Sequence, residues 1–357
     1  MTTPQERSSE IKALAHALGA DCVGICAAEA TPESRAFGAW LDRGHGGVMK
    51  YLERTRSQRE DPALLFDGVR SLVVVGLVYH DASGAAPSGQ DEGAARASRY
   101  ARGDDYHDLL ADRLRALAAA IEARWSRAFE WRAWVDTGPV LERVAAAYAG
   151  LGWVGKNTCL IHPDFGSYLF LGVLATDLDC AFDALLPDQC GTCTACLDAC
   201  PTGAFTQAHE LDATRCIAYT TIEDPGPIPE ALREAQGEHV YGCDVCQEVC
   251  PWNQRRGLRV PEDPLGLRSR LEARSEWRAP ELAWLLDLDE EAWRASTRGS
   301  AMRRSKYRGL MRNALVAAGN RCDPSLRAKV ERFRDGDDSM LAEHAAWALA
   351  RLCESDG

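Results

Sequence analysis

The residues from Cys190 to Pro251 restrict this chain more than any other part of it. They open with Cys190-Gly191-Thr192-Cys193-Thr194-Ala195-Cys196-Leu197-Asp198-Ala199-Cys200-Pro201, a C-x2-C-x2-C-x3-C-P run. They close with Cys243-Asp244-Val245-Cys246-Gln247-Glu248-Val249-Cys250-Pro251, which repeats C-x2-C-x3-C-P, and Cys216 lies between the two. Eight thiols are enough for two 4Fe–4S clusters with four cysteines each. Two intervening residues let a tight loop set successive sulfurs on neighbouring irons, and the proline after each run turns the chain away. Zinc is the competing reading, but tetrahedral zinc favours separate C-x2–4-C pairs, and the triple spacing of Cys190, Cys193 and Cys196 fits that poorly.

This spacing matches the bacterial two-cluster ferredoxin arrangement, in which the fourth cysteine of each run ligates the other cluster. Cluster one then takes Cys190, Cys193, Cys196 and Cys250. Cluster two takes Cys200, Cys243, Cys246 and, because the second run is one cysteine short, Cys216. The other six cysteines (Cys22, Cys26, Cys159, Cys180, Cys322 and Cys353) are expected to be dispensable. Fourteen cysteines in 357 residues, with a polar stretch from Met1 to Glu10 in place of a signal peptide, predict metal ligands in a reducing cytoplasm. No run of eighteen apolar residues predicts a membrane span. A net charge of −12 argues against a protein coated with nucleic acid, although it leaves room for a local basic patch.

Three domains are expected. Residues 1–178 read as an α/β domain, 179–262 as an inserted two-cluster ferredoxin-like domain, and 263–357 as an all-α, HEAT-like repeat. In the first, Ile11, Leu14, Ala15 and Leu18 recur at helical spacing. Cys22–Cys26, Ser71–Tyr79, Trp131–Asp136 and Ser167–Thr176 read as strands, the second buried on both faces. Helices are expected over about 32–41, from His107 to near Trp125, and over Val140–Ala149. The Gly-, Ala-, Ser- and Asp-rich residues 81–97 read as a loop. Gly44-His45-Gly46-Gly47 and Gly150–Thr158 both lack the Lys-Ser/Thr of a phosphate loop. In the third region, Leu282, Leu285 and Leu286, then Leu310, Leu315 and Ala318, then Leu341, Ala345, Ala348 and Leu352, mark helices with small apolar faces.

Two places carry charge of interest. Asp136 ends a strand just before Thr137-Gly138-Pro139. It is either a functional carboxylate, since an α/β sheet keeps its ligand crevice at the strands' carboxyl ends, or the N-cap of the following helix. Arg294, Arg298, Arg303, Arg304, Lys306, Arg308 and Arg312 fall in a stretch with no acidic residue. Such a run is a solvated face or a phosphate-binding surface, and its lack of counter-ions in an acidic chain favours the second.

Assembled in order, six segments resemble the epoxyqueuosine reductase family over essentially the full length. They are Tyr100–His107, Val135–Glu142, Gly152–Thr158, Cys216–Glu223, Cys243–Asn253 and Gly299–Arg304. The resemblance implies cobalamin, held base-off in the first domain beside one cluster, as a cofactor in addition to the two 4Fe–4S clusters. It implies that an external electron donor feeds both clusters and then cobalt, and that the epoxide oxygen of epoxyqueuosine is removed at the tRNA wobble position. The family's proton donor corresponds to Asp136, which should then be partly desolvated, with its pKa above the usual ~3.9. Residues resembling the corrin contacts are Arg59, Tyr100, Asp136, Asn157, Thr158 and Tyr219. Arg303, Arg304, Lys306 and Arg308 would grip the tRNA, and a monomer is expected. A reductive dehalogenase would share the clusters and corrinoid, but those enzymes are typically exported by a twin-arginine signal and need no basic repeat. A non-catalytic electron carrier would not need the first domain, and a cobalamin chaperone would not turn over substrate.

Overall fold

A computed structural model describes residues 3–80, 94–254 and 258–354, with only the backbone of Cys353 and Glu354. Most of the expected 81–97 loop, as far as residue 93, and the Cys353 thiol therefore lie outside the described residues. The first region is a four-stranded sheet of β1 (Cys22–Ala27), β2 (Ser71–Val78), β3 (Trp131–Trp134) and β4 (Leu169–Thr176), in the order β1-β2-β4-β3. Helix α1 (Pro4–Ala17), opened by a Thr3–Glu6 capping box, and the long α2 (Tyr106–Trp125) cover one face. Helix α3 (Glu142–Tyr148) covers the other.

All eight residues of β2 are buried, and the period of two explains how. Val73, Val75 and Leu77 join Ile11, Leu109 and Leu114 beneath α1 and α2, whereas Leu72 and Val74 join Ala145 and Ala146 beneath α3. Gly24 permits the second contact, because a Cβ there would stand 1.9 Å from the carbonyl oxygen of Ala149. Cys22 and Cys26 are buried core residues, and burial pushes the Cys26 thiol up to about 12.

The sequence leaves the strand directions open, and the structure gives them. All three pairings are antiparallel, so the sheet has no common carboxyl-end crevice. The site is made instead by a turn, described below. The separation into three regions is also less sharp in space than along the chain. The short strand Arg96–Ala97 pairs in parallel with His239–Tyr241 of the cysteine region. One apolar core runs from Ile11 through Val240 and Tyr241 to Leu352. In the last region, α4 (Lys306–Arg321) is buried from Gly309 to Gly319 and packs against α5 (Ser339–Glu354), as expected for a helix enclosed on every side. Among the described residues no helix is long and apolar enough to cross a membrane.

Candidate active site

Asp136 is not a helix cap. Helix α3 begins at Glu142, six residues later, with Leu141 at its N-cap position. Asp136 instead lies at the centre of a three-residue turn, with Thr137 N–H donating to the Val135 carbonyl at 2.6 Å and φ of +59°. A γ-turn of this hand is rare and strained, and strain of this kind persists only where surrounding contacts over-determine it. Here they do. Arg59, buried, donates from Nη2 to the Gly138 carbonyl at 2.7 Å, from Nη1 to the Val140 carbonyl at 2.9 Å and from Nε to Thr55 Oγ1 at 2.9 Å. The Asp136 N–H donates to Glu142 Oε1 at 2.6 Å.

The turn presents the carboxylate to an open basin. Asp136 has a side chain 65% exposed, and Arg143 is exposed too, although Tyr106 and Tyr241 beside them are buried. His107 stands between two carboxylates, with Nδ1 2.6 Å from Asp105 and Nε2 3.5 Å from Asp136. Burial opposes its charge, but the hydrogen bonds to Asp105 and Asp136 outweigh that and raise its pKa to about 9. Glu142 is pushed up to about 8 by burial and by the Asp136 charge. For Asp136, burial pulls upward, yet the hydrogen bond and charge of His107, with Arg143 and Tyr106, leave its pKa below the usual carboxylate value. This corrects the expectation of a raised value. At neutral pH the proton of the pair resides on His107.

The thiols fall into two sets. Burial is the main cause that raises the pKa values of Cys250 and Cys196, but Cys250 also lies close enough to feel Cys190 and Cys196, and Cys196 to feel Cys190 and Cys193. Cys243 feels Cys216 and Cys200, and Cys246 feels Cys243 and Cys216. Cys250 thus sits with the first run and Cys200 with the second. Of the six cysteines outside these sets, Cys159 touches the second one, through the Cys246 thiol. Cys193 is exposed, whereas the second set is half-buried and lies toward the basin, where Cys159, Asp136, Glu142 and Cys246 together hold the Arg143 cation above its usual pKa against the desolvation by its surroundings.

The Gly152–Thr158 segment braces both sets. Lys156 Nζ donates to the carbonyls of Gly191 and Cys193 at 2.7 and 2.8 Å, and Asn157 Nδ2 to that of Cys246 at 3.2 Å. The Trp153 indole, 2% exposed, has a buried Nε1 without a regular hydrogen-bond partner. It lies beside the Cys190 sulfur and draws that thiol's pKa down against the effect of burial. An indole N–H aimed at a cysteine sulfur fits a cluster-bound thiolate.

The predicted corrin contacts divide. Arg59 and Asn157 spend their polar atoms on the scaffold, and the hydroxyl of buried Tyr219 accepts the Val48 N–H at 2.8 Å. Tyr100 reaches the basin, its ring 6.0 Å from Tyr106 and its pKa raised by burial and, among nearby charges, by Asp136. Thr158 reaches it too, with φ of +63°, an outlier for a β-branched residue, and its carbonyl accepts from Arg143 Nη1 at 3.0 Å. Sequence reasoning missed Arg143 and quoted Asp105 and Glu142 only as parts of motifs. Nothing in the spacing linked Asp105 to Asp136, because His107 connects them across space.

The basic run disperses. Arg294 pairs with Glu290 at 2.6 Å, Arg304 with Glu223 at 2.8 Å, and Arg308 with Asp338. Arg312 is buried, donating to the carbonyls of Thr220, Asp224 and Gly226. Arg298, Arg303 and Lys306 are exposed without a carboxylate partner among the described residues. Arg303, Lys306 and Arg308 line a cavity of about 490 Å³ together with Trp293.

Comparison with known proteins agrees with this geometry. The family described as "4Fe-4S double cluster binding domain" matches residues 189–253, and "Epoxyqueuosine reductase QueG, DUF1730" matches residues 59–137. The chain is 39% identical to an epoxyqueuosine reductase of Xanthomonas campestris, over 98% of this chain and 97% of that one. It is 40% identical to one from Pseudomonas aeruginosa, over 99% and 96%. A crystal structure of epoxyqueuosine reductase with an epoxyqueuosine-modified tRNA-Tyr stem loop superposes with a TM-score of 0.83 at 28% identity, over 96% of this chain and 89% of that one. With its double-cluster cysteines and relatives matching along nearly its whole length, this chain belongs to the epoxyqueuosine reductase family.

Proposed function

We propose that this chain removes the epoxide oxygen of epoxyqueuosine at the wobble position of tRNA, with Asp136 delivering the proton that the oxygen requires. The observation that carries the reading is the strained turn holding Asp136 against His107, beside the second thiol set, in a member of this family. The balance is one epoxide, two electrons and two protons giving an alkene and water. Two protons are needed, and the chain keeps two proton-bearing groups, His107 and Glu142, next to Asp136.

Cys190, Cys193, Cys196 and Cys250 would hold one 4Fe–4S cluster, and Cys200, Cys216, Cys243 and Cys246 the other. An external donor would deliver electrons at the exposed Cys193 side, and they would leave by Cys246, a thiol of the second set whose charge reaches Arg143. Cobalamin suits the basin, because a flat ligand can lie against aromatic rings, and Tyr100 and Tyr106 would offer them, with the strained Thr158 backbone beside Arg143. Arg143 would supply polar contacts there, with Arg59, Asn157 and Tyr219 supporting these residues from behind. When bound, reduced cobalamin supplies the electrons to the substrate carbon. Covering Asp136 with a flat apolar face would strengthen the burial effect that already pulls its pKa upward, and so would bring the carboxylate closer to taking the proton that His107 holds. Asp136 then protonates the developing alkoxide, a contribution of ~10²–10⁴-fold. Arg303 and Lys306, two of the three cations without a carboxylate partner among the described residues, would grip the tRNA backbone, and the wobble nucleoside would reach Asp136 by leaving the anticodon stack.

The test is anaerobic reconstitution with iron, sulfide and cobalamin, followed by mass spectrometry of nucleosides from tRNA bearing epoxyqueuosine. Conversion to queuosine that depends on cobalamin, with about eight irons per chain, is expected. A fully loaded protein that leaves epoxyqueuosine intact overturns the reading. Full-length relatives named for this activity leave the dehalogenase alternative without a supporting observation.

A further inference from the structure

The basic run has one member that faces the basin and not the cavity at Trp293. The Arg304 guanidinium lies over the Tyr51 ring, 5.8 Å from its centroid. It binds Glu223 side-on, with Nε to Oε1 at 3.2 Å and Nη2 to Oε2 at 2.8 Å. Its pKa is raised by the hydrogen bond and charge of Glu223 and, more weakly, by the charge of Asp136, so it lies on the side of the basin. Tyr51 feels Glu223, Asp136 and Arg304 together. Three separate parts of the chain meet there, since Tyr51 comes from the first region, Glu223 from the segment after Cys216, and Arg304 from the turn before α4.

We propose that Arg304 receives the backbone phosphate flanking the nucleotide that enters the basin, and that Glu223 is the residue that orients it. This rests on the tRNA reading above and adds to it a division of labour within the run. A nucleotide that leaves the stack to reach an enzyme site carries its two flanking phosphates toward the mouth of that site. Asp136 presents a negative charge there, so a phosphate needs a fixed cation between them. Arg304 suits the task. Its side chain is 56% exposed, and Nη1 has no protein partner among the described residues. Glu223 uses only one edge of the guanidinium, and its planar fork matches phosphate oxygens. The support beneath is rigid. Glu223 closes a π-helical turn, Tyr219–Glu223, and buried Arg312 clasps the carbonyls of Thr220 and Asp224 on either side of it. Orienting the cation before RNA arrives lowers the ordering cost of binding.

The experiment uses the reconstituted enzyme and two stem loops bearing epoxyqueuosine, one natural and one with an uncharged methylphosphonate at each phosphate flanking that nucleotide. Wild type and Arg304→Gln are compared on both, by single-turnover rate and by equilibrium binding. Removing either partner should lower kcat/KM by ~10–100-fold, the range for a hydrogen bond to a charged group. Removing both should cost little more than removing one. Glu223→Gln should lose part of the same factor on the natural stem loop and nothing on the neutral one. Independent, multiplying losses, or no loss in Arg304→Gln, overturn the proposal. If Arg304→Gln fails to fold, Arg304→Lys in the same cycle answers the question, because it keeps the charge and loses the fork. Wild-type conversion of the natural stem loop is the control for the functional reading. If that fails, the reading fails; if it succeeds while the losses multiply, only the phosphate contact is wrong.

Discussion

The Val135–Glu142 turn and the Arg294–Arg312 run are both rich in charge, and they use it in opposite ways. In the turn, charges close in sequence stay close in space. Asp136, Glu142 and Arg143 face one another, and a single residue from elsewhere, His107, completes the set. In the run, residues adjacent in sequence part company. Arg303 and Lys306 line one cavity, Arg304 turns to the basin, Arg308 finds Asp338, and Arg312 is enclosed by carbonyls. A tight turn keeps its own neighbours together, whereas a helical stretch sends successive side chains in different directions. An acid-free stretch of sequence therefore says little about local charge in the fold.

The strongest way to break the comparison lies in the turn. Asp136→Asn keeps a residue that tolerates positive φ, and Arg59 still ties the turn through the carbonyls of Gly138 and Val140. Stability should stay near wild type while single-turnover epoxide reduction falls by ~10²–10⁴-fold. A variant reacting within threefold of wild type would remove Asp136 as the acid and leave His107 as the next candidate.

Arg312 and Arg308, both from the run, should separate by stability. Arg312→Met leaves the carbonyls of Thr220, Asp224 and Gly226 buried without their donor, a loss of about 3 kcal/mol. Arg308→Gln breaks an exposed pair and should cost about 1 kcal/mol or less. Denaturant midpoints of the two variants measure the difference. Equal values would mean that Arg312 is no more structural than its neighbour.

His107 sharpens the comparison through pH. Its pKa is raised to about 9, so the proton is present below that pH and lost above it. The wild-type rate should fall about tenfold per pH unit above about 9, the behaviour of one essential proton. In His107→Gln the rate should be lower throughout and this limb absent. A limb near pH 8 in both proteins would point to Glu142, which titrates there.

What the sequence made legible follows from the same contrast. Strand burial and the Thr137-Gly138-Pro139 turn are local patterns with counterparts in the fold, and the cysteine spacing has its counterpart in the double-cluster family match. The strand directions were not legible, because segments of this length between strands can cross over or return. The cap reading of Asp136 failed because the turn runs six residues before the helix starts. The Asp105–His107–Asp136 bridge and the Glu223–Arg304 pair join residues about 30 and 80 positions apart, and no periodicity reports such pairings.

The smallest expected effect tests the run itself. Phosphate contacts release counterions, so each one lost makes the slope of log affinity against log salt less negative by about 0.7–0.9. Arg303 and Lys306 have no carboxylate partner among the described residues, and each should shift the slope by about that much on replacement by Gln. Arg308 borders the same cavity but is held by Asp338, whose own pKa that contact lowers to about 2. Binding RNA through Arg308 would require giving up that pair, so Arg308→Gln should leave the slope within error of wild type. Fluorescence anisotropy with an anticodon stem loop, from about 50 to 200 mM salt, reads all three slopes without needing clusters or cobalamin. If Arg308→Gln moves the slope as far as Arg303→Gln does, RNA displaces Asp338, and the run acts as the single cationic surface that its sequence suggests. If only Arg303 and Lys306 respond, tertiary pairing has already selected which cations of this cavity meet the RNA, and the dispersal seen in the fold is the functional arrangement.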